Sequence, residues 1–160
     1  MDKTYEITRQ RDGKLVCLVR DRDAGKSYPL PHIIYHSPSG FECGYSGSGP
    51  ADLALSILAD LLGAGCAAMQ ARIHGITDET TLYSMAGEYP LTGEYRQADE
   101  VLRHYQDFKM EFIAPLRLVP HLAPMQSLSI DGAAIKEWLL VRTQKGGKPN
   151  EARGTLATSR

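Results

Sequence analysis

The sequence predicts an α+β fold: an amino-terminal antiparallel sheet of three to five strands, with about three helices packed on one face. Three observations predict it. Short segments of alternating or dense apolar residues fill the first fifty positions, separated by Gly-, Asp- and Pro-containing turns. Apolar residues at helical spacing follow in three later segments. The connections between the early segments are short, which favours an antiparallel meander over parallel crossovers.

Residues Thr4 to Arg9 alternate Tyr5 and Ile7 with polar neighbours, and Leu15 to Arg20 form a denser apolar strand. Between them Arg11-Asp12-Gly13-Lys14 has the composition of a hairpin turn. A second turn, Asp21-Arg22-Asp23-Ala24-Gly25-Lys26, leads to a short segment ending at Tyr28. Pro29 and Pro31 bracket Leu30 and exclude a long central strand there, because proline donates no ladder hydrogen bond. His32 to His36 reads as extended, Ser37-Pro38-Ser39-Gly40 as a turn, and Phe41-Glu42-Cys43 as a short strand.

The first helix is expected over Ala51–Leu62. Pro50 suits a first helical position, Ser48 or Gly49 can cap, and Asp52 places negative charge near the positive end of the helix dipole. Leu53, Ile57 and Leu61, flanked by Ala54, Leu58 and Leu62, make a broad apolar stripe that Gly63 or Gly65 ends. The pattern from Cys66 to Ile73 is compatible with a helical turn or a strand, and Ile76 to Tyr95 reads as irregular. A second helix is expected over Ala98–Ala114, where Val101, Tyr105, Phe108 and Phe112 recur before Pro115. A third is expected over Asp131–Val141, carrying Ile135, Trp138 and Leu139. The domain is expected to span residues 1–142, with 143–160 as a polar, flexible tail.

Composition sets limits on function. The 160 residues are 42% apolar and 23% charged with a formal charge of −1, an ordinary globule with no global basic field for nucleic acid or acidic membranes. No apolar run reaches the roughly 20 residues of a membrane span. The amino-terminal residues lack the apolar segment of a secretory signal, and Cys17, Cys43 and Cys66 are odd in number and form no Cys-x-x-Cys pair. These features lead us to expect a cytoplasmic protein with free thiols.

One segment carries chemistry. Gly44-Tyr45-Ser46-Gly47-Ser48-Gly49-Pro50 joins strand-like sequence to a helix. The amides opening a helix have no intrahelical acceptor and lie at the positive end of its dipole, so the segment is a candidate cradle for an anion. Tyr45, Ser46, Gly47, Ser48 and Gly49, with His36 nearby in sequence, are the candidate ligand- or partner-binding residues. Pro50 and Ala51 stand where a phosphate-binding Walker loop has Lys and Ser or Thr. Ser48 stands where a nucleophile elbow built on Ser46 needs glycine. The other reading of the loop is a turn whose glycines permit close packing. No catalytic residue is assigned. His32 and His36, in extended chain, would lie roughly 13 Å apart, too far to share one metal ion, so neither a metal nor another cofactor is expected. Arg9, Arg11, Arg20 and Arg22 flank one hairpin and are a candidate basic edge. Asp107 and Glu111 read as the polar side of an amphipathic helix.

The run from His36-Ser37-Pro38-Ser39-Gly40-Phe41 through Glu42-Cys43-Gly44-Tyr45 to Ser46-Gly47-Ser48-Gly49-Pro50-Ala51-Asp52-Leu53-Ala54 resembles a family. This is a domain of unknown function found in bacteria, phages and mobile elements, with a signature close to S-P-x-G-F-x-W-G-Y-G-G-S-G-P-A-x-L-A. Tyr28-Pro29-Leu30, Tyr105-Gln106-Asp107-Phe108-Lys109 and Phe112-Ile113 also resemble its pattern, so the resemblance extends over most of Lys3 to Leu140. Cys43 replaces the usual tryptophan and Ser46 a usual glycine. The resemblance implies a setting rich in small accessory and anti-defence proteins, and brings no established activity with it.

The expected function is therefore a non-enzymatic binding protein that engages a host protein complex or sequesters a small nucleotide or other small anion. The competing expectations are an enzyme acting on a phosphorylated or nucleotide substrate at the glycine loop, and a structural or regulatory module of a virion or replicon. Nucleic acid and membrane are not favoured as partners.

Overall fold

The computed structural model describes residues 2–75, 92–118 and 126–144. The fold class is α+β, as the sequence predicts. The chain divides into two compact units, one formed by Met1–Pro29 with Leu118–Arg160 and the other by Leu30–Arg117. Of the expected irregular stretch, residues 92–95 instead open a helix, and of the expected tail, residues 143–144 instead end one; the rest of both lies outside the described residues. Among the described residues no helix is long and apolar enough to cross a membrane.

The first unit holds a four-stranded antiparallel sheet of order β3-β2-β1-β4. Its strands are β1 (Lys3–Arg9), β2 (Leu15–Asp21), β3 (Lys26–Pro29) and β4 (Gln126–Asp131). Period-two alternation puts Tyr5, Ile7 and Val19 on a fully buried face. Cross-strand pairs continue that face, with Tyr5 opposite Val19 and Ile130, and Ile7 opposite Cys17 and Leu128. The opposite face carries Thr8, whose Oγ1 lies 2.7 Å from Ser127 Oγ. The β1–β2 turn closes through a Gly13 N–H donated to Gln10 O, with Gly13 at φ 90°, a backbone that favours glycine. In the β2–β3 turn Asp21 Oδ1 accepts the Ala24 N–H.

β4 was not foreseen. The third helix, expected to begin near Asp131, follows directly after it as Gly132–Gln144, packed against β1 and β4 through the buried Ile135 and Leu139, while Asp131 itself ends β4. We number this last helix α4. On it the Arg142 guanidinium lies 4.8 Å from the Trp138 ring centroid.

The second unit is helical. It comprises α1 (Ser48–Leu62), α2 (Cys66–Ile73) and α3 (Thr92–Phe108), which continues as a π-helical turn, Lys109–Ile113. α1 is its centre and packs against α3 and the π-turn. Leu53, Leu55, Ile57 and Leu58 are fully buried, so the helix buries more than the one stripe expected. α1 ends at Gly63 in the left-handed conformation, φ 76°. The segment after it resolves as helix, and Arg72 Nε of α2 meets Asp99 Oδ1 of α3 at 2.7 Å. In α3, Val101, Tyr105 and Phe108 are buried as the periodicity predicts. Asp107 departs from the expected polar face and is also buried. The π-turn closes with the Ala114 N–H donated to Lys109 O at 2.8 Å, just before Pro115.

Two expected strands do not form. Residues 32–36 are irregular, and of Phe41–Cys43 only Phe41 makes a bridge. The amides of Tyr35 and His36 go to a side chain instead of a strand ladder, and that side chain organises the candidate site.

Candidate functional site

Asp52 lies on α1 with no exposed surface. A buried carboxylate needs donors to replace its water, and the chain supplies four. His36 N–H donates to Oδ1 at 2.9 Å and Ser37 N–H to Oδ2 at 3.0 Å. The Tyr35 N–H is shared between the two oxygens at 3.3 and 3.2 Å. His32 Nε2 reaches Oδ2 at 2.9 Å, which assigns the proton on that nitrogen. One helical turn on, Ser56 Oγ accepts the Ile33 N–H at 3.0 Å. Positions 52 and 56 share a helix face, so one side of α1 holds the loop from residue 32 to residue 37 along its length. Asp52 is thus a loop anchor; the sequence predicts it as a favourable charge in the first turn, but the helix starts at Ser48 and its first turn holds no acidic residue.

The clamp buries Leu30 and Ile33 and leaves Ile34 and Tyr35 outside, 49% and 44% exposed. The Tyr35 ring stacks on the His36 ring at 4.1 Å and 23°. His36 in turn lies against Tyr105 of α3, with rings 5.9 Å apart and His36 Nε2 2.8 Å from the phenol oxygen. Gln106 Nε2 donates to the same oxygen at 3.1 Å. Burial, the largest influence, raises the Tyr105 pKa, and the neighbouring Tyr35 and Asp52 push the same way against the Gln106 hydrogen bond. The phenol therefore holds its proton more tightly than a free tyrosine, and its oxygen shares a hydrogen bond with His36 Nε2. His32 leans on Phe41 with ring centroids 4.6 Å apart.

The glycine loop starts from a strapped residue. Gly44, at φ 88°, donates its N–H to Ile113 O at 3.1 Å, and its carbonyl accepts Arg117 Nη1 at 3.2 Å. A Cβ at Gly44 would lie 2.9 Å from Leu116 O. Tyr45, Ser46 and Ser48 are exposed. The Tyr45 ring folds over Gly47, where an added Cβ would sit 2.5 Å from ring carbon Cε2. Gly49 is buried against Glu42, whose Cβ lies 2.6 Å from where a Cβ would stand. Gly47 and Gly49 thus make room for the chain's own side chains. The N-cap is Gly47, not Ser48 or Gly49; it uses no side chain, and its carbonyl accepts the Ala51 N–H.

The other sequence-predicted residues fall elsewhere. His36 is held by Asp52 and Tyr105 and belongs to that cluster. Arg9 does not line an exposed edge: it is 6% exposed, with Nε donating to Leu118 O at 2.9 Å and Nη1 to Gly13 O at 3.0 Å. Arg20 pairs with Glu6 at 3.2 Å and Arg22 with Asp2 at 3.0 Å, both at the surface, while Arg11 is exposed. Cys17 and Cys43 are buried and Cys66 is exposed, and none of the three is in a disulfide. Asp52, Ser56, His32, Tyr35 and Tyr105 were not singled out as site residues. One signal pointed to the first two: Asp52 and Ser56, with Asp60 one turn further on, form a polar row at i, i+4 and i+8 within a mostly apolar helix.

Residues 5–74 match a family of unknown function (DUF6166). The matched stretch takes in most of β1, all of β2 and β3, the Asp52-bound loop, the glycine loop and α1. No curated protein and no solved structure matches the chain.

Proposed function

We propose that this is a non-enzymatic binding protein that presents residues 32–37 to a protein partner. The observation that carries this reading is the Asp52 clamp, which holds Ile34 and Tyr35 half-exposed on a loop pinned by hydrogen bonds to its own backbone. Exposing large apolar side chains on a fixed frame lowers the ordering cost of association, and rigid tyrosines are favoured anchors in protein interfaces. Tyr35 offers one ring face to a partner while the other rests on His36. The phage and mobile-element setting implied by the resemblance adds a partner class, a host protein complex on which an accessory or anti-defence factor acts.

The test replaces residue 35 with a photo-crosslinking phenylalanine and captures partners from host cells. A stoichiometric partner is expected to crosslink at position 35 and to be lost in the double variant Ile34→Asp, Tyr35→Ala, whose far-UV circular dichroism stays that of the wild type. Failure to recover a stoichiometric partner, or capture that survives the double variant, overturns the proposal.

A further inference from the structure

The two edges of the sheet differ in a way that concerns association. The β3 edge carries Lys26 and ends in Pro29, two features that discourage strand addition. β4 reads Gln126-Ser127-Leu128-Ser129-Ile130-Asp131, with no lysine, arginine or proline. Among the described residues it has β1 on one side and no strand on the other. Ser127, Ser129 and Asp131 are exposed, and Leu128, which shares the buried-face parity of Ile130, is 38% exposed. An alternating, nearly uncharged edge is a template for another strand.

We infer that β4 pairs antiparallel with β4 of a second copy of this chain, about a two-fold axis at Ser129. The strand is self-complementary in that register. Leu128 falls opposite Ile130 of the second copy on the apolar face, and Ser127 opposite Asp131 of the second copy on the polar face. Ser129 meets Ser129 of the second copy on the axis. The one charged side chain of β4 therefore faces a hydroxyl, and no like charges oppose each other. Because paired residues keep the same parity, the apolar face runs without a break from one sheet into the next, and the exposed part of Leu128 gains a neighbour. A two-fold interface uses the same patch on both copies, so a self-complementary edge closes as a dimer and stops there. This pairing is independent of the loop at residues 32–37.

Sedimentation velocity on the full chain across a concentration series is the test, with Ser129→Lys and Ser129→Asp as variants. The wild type is expected to show a concentration-dependent dimer. Each variant alone puts two like charges face to face on the axis and raises the dimer dissociation constant by about fivefold or more. Mixing the two variants restores dimers, because lysine then faces aspartate. Ser129 lies opposite Glu6 of β1, which accommodates the lysine variant in the fold. For that variant alone, high salt screens the repulsion and recovers dimer. A wild type that stays monomeric up to near-millimolar concentration, even if it takes up an added extended peptide, overturns the proposal. Undiminished dimers of both variants, or a mixture no tighter than either one alone, also overturn it.

Discussion

Replacing Asp52 with alanine removes the acceptor for the amides of Tyr35, His36 and Ser37 and for His32 Nε2 at once. A buried backbone donor left without a partner costs about 1–3 kcal/mol. The Ser37 amide is buried and those of Tyr35 and His36 are partly so. Assigning about 2 kcal/mol to the first and about 1 kcal/mol to each of the others gives a loss of about 4 kcal/mol. Against the usual 5–15 kcal/mol of a domain, that loss is large. Asp52→Asn keeps the shape and one acceptor oxygen but turns an NH2 group toward other donors, so it recovers only part of the loss. Urea denaturation followed by circular dichroism measures the total. Amide hydrogen exchange at residues 33–37 locates it, with protection at 35, 36 and 37 expected to fall first, while Ile33 keeps its Ser56 acceptor. A change below about 1 kcal/mol, with unaltered exchange at those three amides, would refute the clamp and with it the fixed presentation of Ile34 and Tyr35.

The glycine loop gives a contrast between two alanines. Gly49→Ala drives a Cβ against Glu42 Cβ at 2.6 Å and Glu42 N at 3.1 Å, and is expected to cost about 1–3 kcal/mol in thermal or urea unfolding. Gly47→Ala meets only the exposed Tyr45 ring, which can swing away, so its cost stays below about 1 kcal/mol. Arg9→Met removes the donors to Leu118 O and Gly13 O and is expected to lower stability by about 2–3 kcal/mol, with no change in retention on an anionic heparin column. Tyr105 has a raised pKa in the folded chain, mainly from burial. Its contribution to stability is therefore complete below the ordinary phenol value of about 10 and is lost as pH rises through the folded value. Lys109, its pKa lowered by burial, acts in the opposite direction, adding stability as pH climbs toward the ordinary lysine value. A spectrophotometric tyrosine titration should show a late-ionising phenol that disappears in Tyr105→Phe, and that variant should lose less stability than the wild type at alkaline pH.

What the residues determined by themselves was local. Period-two alternation and glycine turns specified the β1–β2 hairpin, because both strands and their turn lie within nineteen consecutive positions, 3–21. Leucine and isoleucine spacing specified α1, and the aromatic spacing specified most of α3. Tertiary structure decided the rest. β4 is short and earns its place only by pairing with β1, a partner 119 residues away where Thr8 meets Ser127. Residues 32–36 have the composition of a strand, yet the amides of Tyr35 and His36 are claimed by a carboxylate from a helix further along the chain. The same carboxylate turned a helix-start charge into the anchor of a loop, and close contacts with Tyr45 and Glu42 occupied two glycines of the expected anion cradle. Hydrogen-bond partners for buried groups are chosen among whatever the fold brings within about 3 Å, and that choice is not written in the neighbouring sequence.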